Sequence, residues 1–342
     1  MSSCCQIIPI FFTFNNDYVE PAAVCFYSLL KSRKIYNEYR LYVLHHDISE
    51  SKRKLLLDIV NKFDNANLYF INTGDFFDNF FSDEKNNFRK ENNSFTSDTL
   101  VRCFGARFFP QYDRIIYSDV DIIVVDDISE LLSFDVDDKY ILGVKNPFTK
   151  YDSYELSHLK KEHYDLLKDR YLAGGIWLMN LKKIRDDKIE DYMIDIIKDK
   201  TIIKRWNDQD VMNIACNGEV GFIPLSYISY PDMLTFLQDE KFISDYSRDE
   251  LYDSLISPKI IHFANKKPWK TNTNYSTLWW SYFHFLNLTK THIFAENNEK
   301  NKITKLEKKC KKYKRLYKSF LMITLFLIFL VTAQKLLEWK IF

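Results

Sequence analysis

Apolar residues in the N-terminal part of the chain fall into blocks of two alternating kinds. Residues 7–14 are a continuous run of β-favouring side chains, with Pro9 near the start, where a strand tolerates it. From Pro21, in the first turn of a helix, Ala22, Cys25, Phe26 and Leu29 recur at helical spacing to about Ser32. A second strand is predicted over 39–44, a second helix over 49–63 on Leu55, Leu56, Ile59, Val60 and Phe63, and a third strand over 68–71. Strand, helix, strand, helix, strand is the pattern of a parallel sheet covered by helices. Residues 75–97 are polar and Asn-rich without period and read as a surface excursion, after which 98–108 reads as a helix.

The next block carries chemistry. Ile115-Ile116-Tyr117 reads as a buried strand that continues through Ser118-Asp119-Val120-Asp121 into Ile122-Ile123-Val124-Val125. Alternation along a strand places Asp119 and Asp121 on one side and Val120 in the packing. Like charges so close raise one pKa unless a cation lies between them. A divalent metal with oxygen ligands satisfies both and keeps positions open for a diphosphate. The alternative is a pair of Asp residues that cap a strand-to-loop transition. In open α/β sheets ligands bind at the carboxyl ends of strands, where this pair falls.

Further strands are predicted over 139–144, 172–180 and 260–263, with a charged helix over 154–168. The paired Gly174 and Gly175 point either to close approach of a backbone or ligand or to a hinge. Trp206-Asn207-Asp208-Gln209-Asp210 sets polar side chains at the start of a short helix, with Asp208 as an N-cap or a functional group. His262 is a metal ligand or a structural hydrogen bonder, and Lys267 after it suits a phosphate. The chain has no G-x-G-x-x-G and no G-x-x-x-x-G-K-[ST], so neither a dinucleotide fingerprint nor a P-loop carries phosphate.

Composition narrows the picture further. With 342 residues, 46 % of them apolar, the chain has ample material for one large domain or two. A net charge of +1 gives no global attraction to nucleic acid, so any electrostatic signal is local. The six cysteines show no C-x-x-C spacing, and no secretory signal is evident, which fits reduced thiols in a cytosolic setting. Residues 300–318 carry ten Lys or Arg against Glu307 alone, and 320–333 are apolar except Thr324 and Thr332. A basic stretch beside an apolar one is expected at anionic lipid on the cytoplasmic face of a membrane. The apolar run spans only about 21 Å, short of the ~30 Å hydrocarbon core, so it is expected either to lie in the interface or to form a short anchor. The expected organisation is a catalytic domain over 1–285, a basic helical linker over 286–318 and a hydrophobic membrane-associated segment over 319–342.

Asn15-Asn16-Asp17-Tyr18 after the first strand, Asp119-Val120-Asp121, Asp208-Gln209-Asp210, and His262-Phe263 leading to Lys267-Pro268-Trp269 occur in one order. In that combination the chain up to Trp269 resembles glycosyltransferase family 8. The resemblance implies the GT-A fold, a Rossmann-like α/β domain with a mixed, mostly parallel sheet and flanking helices. It implies a retaining transferase that uses a UDP-sugar and Mn²⁺ or Mg²⁺. Bacterial members of this pattern add glucose or galactose to lipopolysaccharide or lipooligosaccharide, so the implied partners are a nucleotide-sugar donor, a lipid-linked glycan acceptor and anionic inner-membrane lipids.

Carried over by position, the resemblance makes Asp119, Asp121 and His262 metal ligands. Thr13, Asn15, Asp17 and Tyr18 lie against the nucleoside, with Tyr18 on the base, while Arg102, Asp119 and Lys267 hold the donor and its diphosphate. Asp208 bonds the sugar hydroxyls and Gln209 lies beneath the anomeric carbon. With Gln209 where a carboxylate nucleophile is otherwise expected, attack and departure on one face are expected. The chain departs from the family at Ala173-Gly174-Gly175, where Asn-Ala-Gly is frequent. It departs again after His262, where the segment to Lys267 is shorter and lacks Gly. An aspartyl phosphatase is disfavoured because Ile123 stands where a hydroxyl is needed. A non-catalytic, membrane-bound UDP-binding scaffold on a degenerate transferase fold is the alternative.

Overall fold

The computed structural model of the protein describes residues 5–74, 76, 97–149, 156–199, 201–202, 205–233 and 246–288. The chain divides into two compact units, Met1–Leu288 and Thr289–Phe342, and every described residue belongs to the first. Most of the excursion expected over 75–97, and the basic and apolar segments expected over 286–318 and 319–342 from residue 289 on, lie outside the described residues. Among the described residues no helix is long and apolar enough to cross a membrane.

Among the described residues nine strands form two sheets. The larger has the order β3 (Ala66–Asn72), β2 (Glu38–His45), β1 (Ile7–Thr13), β4 (Arg114–Ser118), β7 (Leu172–Asn180), β6 (Ile141–Lys145) and β8 (Val220–Phe222). All neighbouring pairs are parallel except the two made by β7, which runs against both β4 and β6. The smaller sheet pairs β5 (Ile122–Val124) with β9 (Ile260–His262), antiparallel. Helices α1 (Val19–Lys31) and α2 (Glu50–Val60) follow β1 and β2 and pack on each other. α1 begins two residues ahead of Pro21, and its Val19, Ala22, Ala23, Cys25, Phe26, Leu29 and Leu30 are buried.

Three expectations need correction. The strand through Asp119 and Asp121 is not continuous: β4 stops at Ser118, β5 starts at Ile122, and the two strands belong to different sheets. The helix over 98–108 is broken into Ser97–Val101, a tighter turn Arg102–Phe104 and Gly105–Phe108. Within 154–168 the described part is a single turn, Leu156–His158, followed by the helix Lys161–Leu167. The short strand β8 gives no sequence signal, because Val220–Phe222 has neither the length nor the alternation that marks a strand.

A file of buried rings crosses the large sheet toward the site. Phe11 on β1 packs against Phe109 and Tyr117, with ring centroids 5.2 and 5.1 Å apart, and Tyr117 on β4 packs against Trp177 on β7 at 5.2 Å. Full burial of such a side chain contributes about 2–3 kcal/mol. The file fixes the end of β4 and with it the Tyr117 hydroxyl.

Candidate active site

The turn between β4 and β5 carries the two carboxylates. The backbone N–H of Asp119 donates to Gly175 O at 2.9 Å, and Phe263 N–H donates to Asp121 O at 2.9 Å. The second bond extends the pairing of β5 with β9, in which Ile122 stands opposite His262. The turn is thus held from both sides, by the start of β7 and the end of β9. His262 Nε2 lies 3.2 Å from Asp121 Oδ1 and 3.5 Å from Asp119 Oδ2. One ligand atom from each of Asp119, Asp121 and His262 falls within 4.8 Å of the others.

These residues fit a divalent metal. Asp121 Oδ1 is buried with only the His262 imidazole beside it, at 3.2 Å, an arrangement that a further partner would complete. Two carboxylates with one imidazole offer a divalent ion two oxygen ligands and one nitrogen. Burial works to raise the Asp121 carboxyl, but the ammonium of Lys267 and the imidazole of His262 outweigh it and hold the group well below the usual carboxylate range. Burial likewise opposes the imidazolium of His262, and Asp121 and Asp119 together lift it to about 9. A proton held there must leave before the ring can ligate a metal.

Lys267 reaches this cluster despite the shortened segment after His262. Its Nζ donates to Asp121 Oδ2 and, at 3.0 Å, to Ala264 O. Gly175 explains part of the paired glycines: a Cβ there would lie 2.5 Å from His262 Nδ1. Gly174 explains the rest, since a Cβ there would lie 3.2 Å from Gln209 Oε1. The close approach at these glycines, expected of a backbone or a ligand, is made instead by two side chains of the candidate site. Ala173, the departure from the family pattern, is buried and accepts the Trp177 indole N–H at 2.7 Å through its carbonyl.

Beside the cluster opens a cavity of about 220 Å³ lined by Thr13, Phe14, Asn15, Tyr18, Thr99, Arg102, Asp119, Val120 and Asp121. Five of the expected nucleotide and donor residues thus share one wall. Thr13 Oγ1 and Arg102 Nε are buried without hydrogen-bond partners. Asn15 caps the turn Asn16–Tyr18 by accepting the Asp17 N–H at 3.1 Å, and Tyr18 meets Trp269 edge-on at 6.1 Å. The next residue is bolted from outside: Asn16 N–H donates to Asp47 at 3.0 Å, its Oδ1 accepts from Ser49 N–H at 3.2 Å, and its carbonyl accepts from Lys52 at 2.7 Å. Asp17 is exposed and is not part of the cavity wall.

Arg102 links the two acidic motifs. Its guanidinium donates to Asp119 Oδ1 at 2.8 Å, lies 3.3 Å from Asp208 Oδ2 and sits over the Tyr117 ring at 4.9 Å. The Tyr117 hydroxyl donates to the same Asp119 oxygen. Burial lifts the Asp208 carboxyl to about 6 against the pull of Arg102, with the Asp119 charge adding to the rise. Asp208 opens the helix Asp208–Ala215, and Asn207 before it has φ 51°, a backbone conformation that side chains seldom adopt. Gln209 is half-buried over Gly174, whereas Asp210 is fully buried and accepts from Tyr171 at 2.5 Å and Trp206 N–H at 2.7 Å. Sequence reasoning missed Tyr117, Thr99 and the anchoring role of Asp210. For Asp210 a signal existed, since a charged residue amid the apolar positions of a short helix needs partners.

The family model for glycosyl transferase family 8 matches residues 9–273. The chain belongs to this family. Proteins similar to it include a lipopolysaccharide 1,2-glucosyltransferase of Escherichia coli K12, 27 % identical over 46 % of this chain and 44 % of that protein. A second lipopolysaccharide 1,2-glucosyltransferase of Escherichia coli is 21 % identical over 77 % of this chain and 73 % of its own length. The chain spans 62 % of a Haemophilus influenzae relative and under half of the K12 protein. Among solved structures, the galactosyltransferase LgtC in complex with donor and acceptor sugar analogues has a TM-score of 0.61 at 20 % identity, covering 83 % of this chain and 98 % of that one. The bifunctional WbbM has a TM-score of 0.64 at 19 % identity over 87 % of this chain and 52 % of its own. The fold is therefore the mixed, mostly parallel GT-A arrangement expected of family 8.

Proposed function

We propose that this chain is a retaining hexosyltransferase that moves glucose or galactose from a UDP-sugar, with Mn²⁺ or Mg²⁺, to a membrane-linked glycan such as lipopolysaccharide or lipooligosaccharide. The observation that carries the reading is the Asp119, Asp121 and His262 cluster at the wall of a cavity that also holds Thr13, Asn15, Tyr18 and Arg102. The glucosyltransferase relatives support the acceptor class, and the basic and apolar segments over 300–342 support attachment at the cytoplasmic face of the membrane.

In this reading Asp119, Asp121 and His262 hold the metal, which supplies Lewis-acid stabilisation to the diphosphate oxygens. Cleavage of the anomeric bond develops negative charge on the leaving phosphate, and the Lys267 ammonium, tethered by Ala264 O, counters it. Arg102 offers its unpartnered Nε to the donor while its Nη1 keeps both Asp119 and Asp208 in place. Asp208 accepts from sugar hydroxyls. Gln209 sets its amide oxygen against the positive charge that develops at the anomeric carbon, with attack and departure on one face.

The test is release of UDP from UDP-glucose and UDP-galactose by purified protein with Mn²⁺, against EDTA and against Asp121→Ala. Metal-dependent release, lost in the variant, is the expected result and identifies the donor. Tight UDP and Mn²⁺ binding with no release from any UDP-hexose, with or without acceptor glycan, would overturn the reading in favour of a binding scaffold.

A further inference from the structure

Lys267 carries its charge on a flexible four-carbon stem, so the place of its ammonium depends on what holds the backbone beneath it. The chain after Lys267 closes a tight turn, in which Lys270 N–H and Thr271 N–H both donate to Lys267 O, at 2.9 and 3.0 Å. Those bonds make residues 267–271 one unit and leave the next carbonyl, that of Pro268, to be satisfied from elsewhere. Pro268 is buried and brings no N–H of its own.

The donor comes from the helix Ser276–Phe285. Trp280 Nε1–H donates to Pro268 O at 3.2 Å, and an indole N–H can act in no other sense. The Trp280 ring stands edge-on to Trp279 at 5.0 Å and to Phe283 at 5.1 Å, and it stacks on His284 at 5.7 Å. The helix itself is seated on α1: Tyr27 packs against Tyr282 at 5.5 Å and Phe285 at 5.2 Å, and the Lys31 ammonium lies over the Tyr282 ring at 5.1 Å. α1 also holds the strand that leaves the carboxylate turn, since Ser28 Oγ accepts the Val124 N–H at 3.1 Å. Asp121, through β5, and Lys267, through Trp280, are thus referred to one frame.

On the far side of Pro268, Trp269 is buried between two rings, Tyr18 at 6.1 Å and Trp279 at 5.1 Å. Ring packing of this kind fixes Trp269 without help from the Pro268 carbonyl. Loss of the Trp280 bond therefore releases the turn on its Lys267 side.

We propose that Trp280 is a positioning residue for Lys267: by holding the Pro268 carbonyl it keeps the ammonium at the edge of the Asp119, Asp121 and His262 cluster, where a diphosphate would meet it. The inference rests on the reading that seats a nucleoside diphosphate at this cluster. To that reading it adds a side chain that lies outside the cavity wall.

Two replacements remove the indole N–H and test it. Trp280→Phe keeps an aromatic ring, and substitution of Trp280 by benzothienylalanine keeps the full bicyclic shape should the smaller ring fail to fold. UDP affinity with saturating Mn²⁺ is expected to fall about 3–10-fold in each. Mn²⁺ affinity without nucleotide, by contrast, is expected to stay level or rise, because a loosened Lys267 competes less for Asp121 Oδ2. In a Lys267→Met background the loss of UDP affinity should shrink to within about twofold. Three results would overturn the inference: unchanged UDP affinity in both replacements, a parallel fall in UDP and Mn²⁺ affinity, or an equal loss with and without Lys267. Wild-type protein that binds Mn²⁺ but no UDP would overturn the reading of the site and this inference with it. A failure confined to the replacements leaves that reading intact.

Discussion

The imidazole of His262 occupies the space that a side chain on Gly175 would fill. The missing Cβ would fall 2.5 Å from Nδ1 and 2.6 Å from Cε1, with Ile228 Cδ1 at 3.3 Å behind it. A strand residue on β7 thereby decides whether a residue on β9 can face the two carboxylates.

Gly175→Ala is therefore expected to push the ring off the cluster. Mn²⁺ affinity, followed by titration with a spin or fluorescence readout, should fall by about 10–100-fold, as it does when the support of a metal ligand is disturbed. Overpacking should also cost about 1–3 kcal/mol in denaturant unfolding. Unchanged Mn²⁺ affinity would mean that His262 does not need this space.

Lys267 predicts effects of opposite sign on binding and turnover. Its ammonium sits on Asp121 Oδ2, where it competes with a metal for the same oxygen. Lys267→Met is expected to tighten Mn²⁺ binding in the absence of nucleotide and to lower kcat for UDP release by about 10²-fold. Weaker Mn²⁺ binding in the variant would contradict the competition.

For pH, the sign follows from the Asp208 carboxyl, which burial lifts to about 6. Below that value the group is protonated and loses its capacity to accept two sugar hydroxyls, so kcat/KM should fall by about tenfold per pH unit. Above it, at metal concentrations that keep the His262 proton displaced, activity should be level. Asp208→Asn is expected to be slow throughout and to lack this acid limb; the same limb in the variant would assign it to another group.

Much of the site was readable in sequence because its residue types are chemically unusual where they stand. Carboxylates closing an apolar run, a histidine closing another and adjacent glycines inside a strand each conflict with their local surroundings, and such conflicts mark sites. The alternation of β1, α1, β2, α2 and β3 was readable because each element is local. The direction of β7, the pairing of β5 with β9 and the existence of β8 were not, since they depend on partners far away in the chain. Arg102 illustrates the limit: its position was readable by resemblance, but the bridge from Asp119 to Asp208 exists only once β4, the broken helix and the Asp208–Ala215 helix are assembled.

The tail offers a separate prediction. If residues 300–342 bring the enzyme to lipid, their deletion should leave hydrolysis of soluble donor unchanged and reduce transfer to acceptor glycan in vesicles containing anionic lipid. Equal transfer rates by full-length and shortened protein would remove the reason for a membrane role.

The order in which the strands occur has a bearing on biosynthesis. All seven strands of the large sheet are contained in the chain up to Phe222, whereas His262 arrives on β9, the last strand of the smaller sheet. A growing chain on the ribosome therefore possesses its whole sheet before it possesses the third member of the cluster. Unfinished or prematurely terminated protein carries both carboxylates but lacks the imidazole and the β9 side of the clamp on their turn, so the candidate site is completed only when most of the Met1–Leu288 unit has been made.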